Sequence, residues 1–190
     1  MTQFKVPYNI NLDEFFTEHV RAYFQEKTSR VNTSSMKGKE FTLQYGVGDE
    51  KYCLRITDGD KLEMVKGGVD YPNLSLHLSE SDWRDYISGQ VDTKLDRFID
   101  PSQLLDPKRF KSLGEVKGTL FLKLNKGGDE TITATISFNA AETPSATLKL
   151  KLADWQAMQS GKKNATILFI TGKIKAGGDM GFVMKCQSLM

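Results

Sequence analysis

PSATLKLKLADWQAMQSG, at residues 144–161, repeats the pattern of PNLSLHLSESDWRDYISG at residues 72–89. Each stretch has a leading proline, alternating leucines, an Asp-Trp step and a closing Ser-Gly, and every matched position lies 72 residues from its counterpart. The two tryptophans of the chain, Trp83 and Trp155, therefore fall in register. Because internal repeats decide how a fold is assigned, the pattern predicts two equivalent strands, each followed by an equivalent helix.

A second, weaker sequence match lies upstream of the strong repeat. Gly48-Asp49-Glu50 precedes an alternating apolar run in the first copy, and Gly128-Asp129-Glu130 precedes one in the second. We therefore predict pseudo-repeat one over 41–118, led by a helix over 11–27, and pseudo-repeat two over 118–190. Neither copy has the full set of elements, and a core of about 75 residues alone is marginal. The prediction is thus a single compact unit over 1–190.

Local signals indicate the elements of each copy. Asn11 is a good N-cap for an amphipathic helix with an aromatic-rich stripe. Period-two apolar patterns predict strands near residues 41–45, 52–56, 62–65, 74–78, 120–124, 132–138 and 148–152. A last strand is predicted over 169–176, followed by a helix that Asp179 can cap. Strand hairpins punctuated by helices favour an α+β fold, with a largely antiparallel sheet covered by helices on one face.

Composition excludes several classes of function. The chain has 26 basic and 24 acidic side chains and a net charge of +2, which gives no electrostatic footprint for nucleic acid. His19 and His77 are isolated, and no cluster has metal-ligand spacing. We therefore predict no cofactor and no enzymatic activity. Two distant cysteines, Cys53 and Cys186, are expected to be buried free thiols. No secretory signal is evident at the N-terminus, so a cytoplasmic location is expected.

The C-terminal segment is rich in methionine and bulky apolar residues. Methionine is flexible and polarisable, and it is over-used at adaptable binding surfaces. Two interpretations remain open, a side-chain-filled core and a lined cavity. The residues concerned are Met158, Phe169, Ile170, Met180, Phe182, Val183, Met184 and Met190.

Residues 146–180 resemble the lipid-binding domain of the sterol carrier protein type 2 (SCP-2) family. That family has a strand, a short helix with an acid-aromatic step, a Phe-x-x-Gly-Lys-hydrophobic-Lys segment, a Gly-Asp-Met step and a final apolar helix. The positions that match are Asp154, Trp155, Gly161, Phe169, Gly172, Lys173, Ile174, Lys175, Gly178 and Met180. The first copy resembles the earlier part of the same pattern and lacks the terminal apolar helix.

The resemblance implies a hydrophobic tunnel that holds a sterol, a fatty acyl chain or a similar apolar ligand, in an intracellular lipid carrier. Transient contact with a membrane is compatible with such a role, and no apolar run is long enough for a transmembrane segment. The alternative is a non-catalytic accessory module that uses the same fold to bind a protein partner. The lipid-binding residues are predicted in the second copy: Phe121, Trp155, Met158, Phe169, Ile170, Met180, Val183 and Met184.

Overall fold

The computed structural model describes residues 4–95, 98, 100, 105–187 and 189. Its strands form one eight-stranded sheet. Their bounds are β1 (Glu40–Val47), β2 (Glu50–Thr57), β3 (Lys61–Lys66), β4 (Leu74–Leu78), β5 (Gly118–Gly127), β6 (Glu130–Phe138), β7 (Ser145–Lys151) and β8 (Lys175–Gly178). Met190, one of the methionines noted in the C-terminal segment, lies outside the described residues.

Helices and one short 3₁₀ turn accompany the sheet. The first, α1, runs continuously over Leu12–Glu14, Phe15–Val20 and Arg21–Thr28, and its middle segment is π-helical. A short 3₁₀ turn, Ser34–Met36, precedes β1. The other helices are α2 (Glu80–Ser88), α3 (Pro107–Glu115), α4 (Leu152–Gln159), α5 (Ala165–Ile170) and α6 (Met180–Gln187).

Strand order in the sheet is β3-β2-β1-β4-β6-β5-β7-β8. Five of the seven strand pairs formed by the described residues are antiparallel, and the pairs β1–β4 and β5–β7 are parallel. The prediction of an α+β fold with a largely antiparallel sheet is therefore confirmed. We call α1, β1–β4 and α2 the N-terminal half, and α3, β5–β8 and α4–α6 the C-terminal half.

The two halves share a pattern of strand pairing. In each, the first strand forms a hairpin with the second and pairs in parallel with the strand that precedes the Asp-Trp helix. Trp83 lies in α2 directly after β4, and Trp155 lies in α4 directly after β7. Both tryptophans are buried. The halves meet where β4 pairs antiparallel with β6.

Side-chain caps set the ends of several helices. The Asn11 side chain accepts hydrogen bonds from the Asp13 and Glu14 amides at the start of α1. Ser79 accepts one from the Asp82 amide at the start of α2, and Asp179 accepts one from the Phe182 amide in α6. These residues satisfy amides that have no partner within the helix.

The strand predicted over 169–176 is wrong. Residues Ala165–Ile170 form α5, and only Lys175–Gly178 is extended. The cause is Asn164, whose side chain accepts hydrogen bonds from the Thr166 and Ile167 amides and starts a helix. A short apolar run is compatible with either element, and here the cap favours the helix.

Aromatic rings fill the space between the sheet and the helices of the N-terminal half. The Phe16 ring of α1 stacks on Tyr52 with centroids 4.2 Å apart and on Trp83 at 5.8 Å. Tyr45 of β1 lies 5.5 Å from Trp83. All four side chains are at most 2% exposed. Helix α1 therefore closes the core of this half.

Close backbone packing positions α6 against the C-terminal half of the sheet. A Cβ at Gly118 (φ +128°) would lie 2.3 Å from the Pro144 carbonyl oxygen and 2.8 Å from the Phe182 ring. A Cβ at Gly178 (φ +89°) would lie 2.4 Å from the Ser145 carbonyl oxygen. Glycine at both positions lets β8 and the buried Phe182 side chain approach the strands beneath them.

Candidate functional site

A cavity of about 270 Å³ opens between the sheet and the helices of the C-terminal half. Strand β7 supplies its floor, while α4, α5, α6 and the segment before β8 supply its walls. Eight apolar side chains and one hydroxyl form the lining: Leu148, Met158, Ala165, Thr166, Phe169, Ile174, Met180, Val183 and Met184.

The lining changes from buried to exposed along the cavity. Leu148, on the helix-covered face of β7, is 4% exposed, whereas Met180 is 42%, Phe169 48% and Met184 67% exposed. The cavity is therefore a groove with a closed floor and an apolar mouth. None of its nine lining side chains is charged.

Five of the eight residues predicted from the sequence line this cavity, namely Met158, Phe169, Met180, Val183 and Met184. The other three do not. Phe121 lies on the opposite face of β5, because the alternating Leu120, Leu122 and Leu124 point into the core. Ile170 is 76% exposed at the end of α5.

Trp155 is completely buried in α4. Its indole Nε1 donates a hydrogen bond of 2.6 Å to the Thr93 carbonyl oxygen, and the neighbouring Gln156 side chain donates one of 2.7 Å to the Asp92 carbonyl oxygen. These bonds join α4 to the segment that follows α2. Trp155 therefore anchors α4, which carries the lining residue Met158, and is not itself a lining residue.

The sequence did not single out four lining residues. Leu148 was visible as an inward position of an alternating strand, and Ile174 matched the family pattern without being assigned a place in the site. Ala165 and Thr166 could have been found from Asn164, since a side-chain cap there turns the following residues into a helix. Their positions then follow from helical spacing, because Ala165 and Phe169 share a face.

An ion pair ties α4 to the chain that enters α5. The Lys163 ammonium donates to Asp154 Oδ1 at 2.5 Å. This hydrogen bond, with the further charges of Lys173 and Lys151, holds the pKa of the Asp154 carboxyl below its usual value. The carboxylate is therefore ionised at neutral pH. Its ion pair with Lys163 links α4 to the start of α5, and both helices line the cavity.

The thiol of Cys186, in α6, is buried, and burial raises its pKa to about 12. The thiol of Cys53, in β2, is also buried, with a pKa raised to about 11. Thiolates are the reactive form of cysteine, so both groups are protonated packing elements at neutral pH. The described residues contain no group of three or more His, Cys, Asp or Glu side chains that could hold a metal ion.

The family model of the SCP-2 sterol transfer family matches residues 104–190. The matched segment is slightly under half of the chain. The matched segment begins just before α3 and contains β5–β8 and α4–α6, so every cavity-lining residue lies within it. The resemblance of the C-terminal segment to the family is confirmed.

Solved structures similar to this chain include two sterol carrier proteins. The sterol carrier protein domain 2 of Helicoverpa armigera is 24% identical, with a TM-score of 0.39 and coverage of 52% of this chain and 86% of its own. The apo form of sterol carrier protein 2 from Yarrowia lipolytica is 20% identical, with a TM-score of 0.40 and coverage of 55% and 88%.

A double mutant of the sec-alkyl sulfatase PisA1 is 14% identical, with a TM-score of 0.23 and coverage of 96% of this chain and 17% of its own. No curated protein matches the sequence. Among the described residues, no helix has the length and apolar character needed to cross a bilayer.

Proposed function

We propose that this protein is a lipid carrier whose C-terminal half holds one acyl chain in the cavity between β7, α4, α5 and α6. The observation that carries the proposal is the uncharged, almost wholly apolar lining of an open cavity inside the segment that matches the model of a sterol transfer family. An acyl chain gains about 25 cal/mol for each Å² of apolar surface removed from water, and this lining supplies such surface.

Cavity size favours a single chain over a fully enclosed sterol. Small-molecule sites commonly have volumes of about 300–1,000 Å³, and this cavity, at about 270 Å³, falls just below that range. A chain can enter with its polar head left at the mouth, where Met180 and Met184 are exposed. Methionine side chains adapt to differently shaped apolar groups, so broad selectivity among acyl chains is expected.

Carriage without catalysis agrees with the chemistry of the lining. The nine lining side chains include one hydroxyl, that of Thr166, and no titratable group. General acid–base or nucleophilic catalysis needs a titratable group or an activated nucleophile within reach of the ligand. We therefore propose that the ligand leaves the cavity chemically unchanged.

The test is a fluorescence titration with cis-parinaric acid, compared between the parent protein and Val183→Trp. Val183 is half-buried in α6 and lines the cavity, so the larger side chain should occupy the space of the ligand. We expect the Kd to rise about tenfold or more, which corresponds to about 1.4 kcal/mol of lost binding free energy. Far-UV circular dichroism checks that the variant remains folded.

Phe121→Ala is the matched control, because Phe121 is an apolar residue of the same domain on the opposite face of the sheet. Its Kd should equal that of the parent. Parent-like binding by a folded Val183→Trp variant would place the ligand elsewhere and end the proposal. A parallel titration with dehydroergosterol tests the choice of ligand, and tighter binding of this sterol than of the fatty acid would overturn the single-chain assignment.

A further inference from the structure

The face of the sheet that points away from the core carries a row of lysines in the C-terminal half. Lys123 of β5 pairs with Lys149 of β7, and Lys149 pairs with Lys175 of β8. Neighbouring strands lie about 4.8 Å apart, so the three Cα atoms span about 10 Å. All three side chains are exposed. We call Lys123, Lys149 and Lys175 the lysine row.

Within the described part of the chain, no acidic side chain forms an ion pair with the lysine row. Acidic groups at the ends of these strands are engaged elsewhere. Glu130, at the start of β6, lies 3.3 Å from the Lys126 ammonium. Asp154 accepts a hydrogen bond from Lys163, and Asp179 caps α6. The positive charge of the row is therefore available to a partner.

The same face of the N-terminal half is arranged differently. Arg55 of β2 lies 3.0 Å from Glu63 of β3 and 3.7 Å from Glu40 of β1, so carboxylates on both neighbouring strands neutralise it. His77 of β4 occupies the position 72 residues before Lys149. Burial and the charge of Lys51 lower the pKa of His77, which keeps its ring uncharged at neutral pH. The lysine row therefore belongs to the C-terminal half alone.

The lysine row opposes the stability of the free protein. Like charges that lie directly opposite each other across antiparallel strands are destabilising, and Lys149 and Lys175 form such a pair. Lys123 lies one strand away on the other side of Lys149, so repulsion acts among all three charges. An anionic partner would replace this repulsion with attraction. The arrangement is therefore explained by binding better than by folding.

We propose that the lysine row binds an extended segment of a partner protein that carries acidic side chains at alternate positions. Alternate side chains of an extended segment lie on one side, about 7 Å apart, so two or three carboxylates can cover the row. Complementary charge of this kind speeds association and selects the partner. The inference does not depend on which ligand the cavity holds.

The length and surroundings of the row favour an acidic peptide over nucleic acid. Proteins that bind single strands use basic grooves that follow about four or more nucleotides, whereas this row is about 10 Å long. The net charge of the chain is only +2, which gives little long-range attraction for a polyanion. A short acidic segment needs only the local charge.

The lysine row lies on the other side of the sheet from the cavity. Leu148 lines the cavity on one face of β7, and the next residue, Lys149, points to the opposite face. The connection from β6 to β7 crosses that face at the other end of β5, where the Thr119 hydroxyl donates to the Ala141 carbonyl oxygen at 2.8 Å. A bound segment therefore leaves the mouth of the cavity open, and docking is compatible with a loaded cavity.

The test is the fluorescence anisotropy of a labelled peptide of about ten residues, with glutamate and serine alternating, at about 0.1 M salt. The parent should bind the peptide, and added salt should weaken the binding. The triple variant Lys123→Gln/Lys149→Gln/Lys175→Gln should bind about tenfold more weakly, because three exposed ion pairs are lost. A parent that does not bind the peptide would overturn the inference.

Lys5→Gln/Lys37→Gln/Lys108→Gln is the matched control. It removes the same charge from three exposed lysines that lie outside β5–β8. Its affinity should stay within about twofold of the parent, since charges more than about 10 Å away are largely screened. Equal losses in the two triple variants would mean that only net charge matters, and they would overturn the assignment of the surface.

Charge reversal tests direct contact. The variant Lys123→Glu/Lys149→Glu/Lys175→Glu should bind a peptide of alternating lysine and serine, which the parent should not bind. Far-UV circular dichroism checks that the variant is folded. A folded variant that binds neither peptide would overturn the inference, because the row would then not touch the segment.

Titration with cis-parinaric acid separates this inference from the proposed function. The lysine-to-glutamine row variant should bind this probe like the parent, since none of the three lysines lines the cavity. Loss of the peptide alone supports the inference. Loss of the probe together with the peptide would show that the substitutions disturb the cavity, and it would overturn a separate docking surface.

Two other anions decide the class of the partner. Labelled oligothymidylate of about the same length and phosphatidylserine vesicles are titrated beside the acidic peptide. Tighter binding of either, lost in the lysine-to-glutamine row variant, would assign the row to a nucleic acid or a bilayer and overturn the inference. Weaker binding of both supports an acidic peptide.

Discussion

The two halves of the sheet carry the same strand pairing, but the space under their helices differs. In the N-terminal half, Phe16 of α1 fills that space between Tyr45, Tyr52 and Trp83. In the C-terminal half, α5 and α6 leave a cavity of about 270 Å³. Strands followed by an Asp-Trp helix therefore do not by themselves make a cavity. The covering helices decide whether the space is filled.

Equivalent sheet positions show the same contrast. Tyr45 of β1 pairs with Leu76, and Leu122 of β5 pairs with Leu148. Leu76 and Leu148 lie 72 residues apart, at matched positions of the sequence pattern. The N-terminal half thus carries an aromatic ring where the C-terminal half carries a smaller aliphatic side chain. A large ring fills more of the space towards the helix above it than a leucine does.

The largest expected effect is a loss of stability when the filled N-terminal half loses a core side chain. Phe16→Ala should lower the free energy of unfolding by about 3–5 kcal/mol, because it removes a buried ring and leaves a void among three aromatic neighbours. Met184→Ala, at the exposed mouth of the cavity, should change it by less than about 1 kcal/mol. Equilibrium unfolding in urea, followed by circular dichroism, measures both. Similar losses for the two variants would contradict the contrast between a filled and an open half.

An intermediate effect concerns the two thiols, one in each half. Both have a pKa raised by burial, to about 11 for Cys53 and about 12 for Cys186, so labelling by a disulfide reagent requires local opening. We expect Cys186 in α6 to react faster than Cys53 in the sheet. An acyl-chain ligand at about ten times its Kd should slow Cys186 about tenfold and leave Cys53 unchanged.

Single-thiol variants, Cys53→Ala and Cys186→Ala, assign each labelling rate. Equal protection of both thiols would show that the ligand stabilises the whole protein and not α6 in particular. Faster labelling of Cys53 would reverse the proposed order of stability between the halves.

The smallest expected effect is the pH dependence of the Asp154–Lys163 pair. The folded-state pKa of Asp154 is lowered by Lys163, so its contribution to stability is fully present above the unfolded pKa of about 3.9 and is lost as the pH falls through the folded-state value. With Lys163 42% exposed, we expect about 0.2–1 kcal/mol at neutral pH.

Unfolding of Asp154→Asn, measured from pH 7 down to pH 3, should differ from the parent at neutral pH and converge with it at acidic pH. Asp82→Asn is the matched control from the N-terminal half, where the carboxylate accepts a hydrogen bond from the Ser79 hydroxyl in place of an ion pair. A difference that persists undiminished at pH 3 would show that the ion pair is not the source of the effect.

Features set by local chemistry could be predicted from the sequence. Asn11 and Asp179 cap their helices as expected, because each side chain bonds an amide two or three residues away. Period-two patterns also placed the strands. Five cavity residues followed from the methionine-rich segment and the family pattern. These signals need no knowledge of distant parts of the chain.

Features set by distant contacts could not be predicted in this way. Trp155 donates a hydrogen bond to the Thr93 carbonyl oxygen, which lies 62 residues earlier in the chain. Phe169 and Ile170 stand in an apolar run that fits a strand or a helix, and one capping side chain decides between them. Phe121, in contrast, could have been placed from the sequence alone. Strict alternation with its leucine neighbours puts it on the face of β5 opposite the core.

The pairing of β4 with β6 covers a strand edge of the C-terminal half of the sheet. Residues 74–77 of β4 occupy the hydrogen-bonding edge of β6. If residues 104–190 stood alone, β6 would become an open edge whose inward face carries Ile132, Ala134, Ile136 and Phe138. An unpaired edge of this kind templates the addition of strands from other chains. Pairing with β4 therefore closes the strand edge that β6 would otherwise present to other chains.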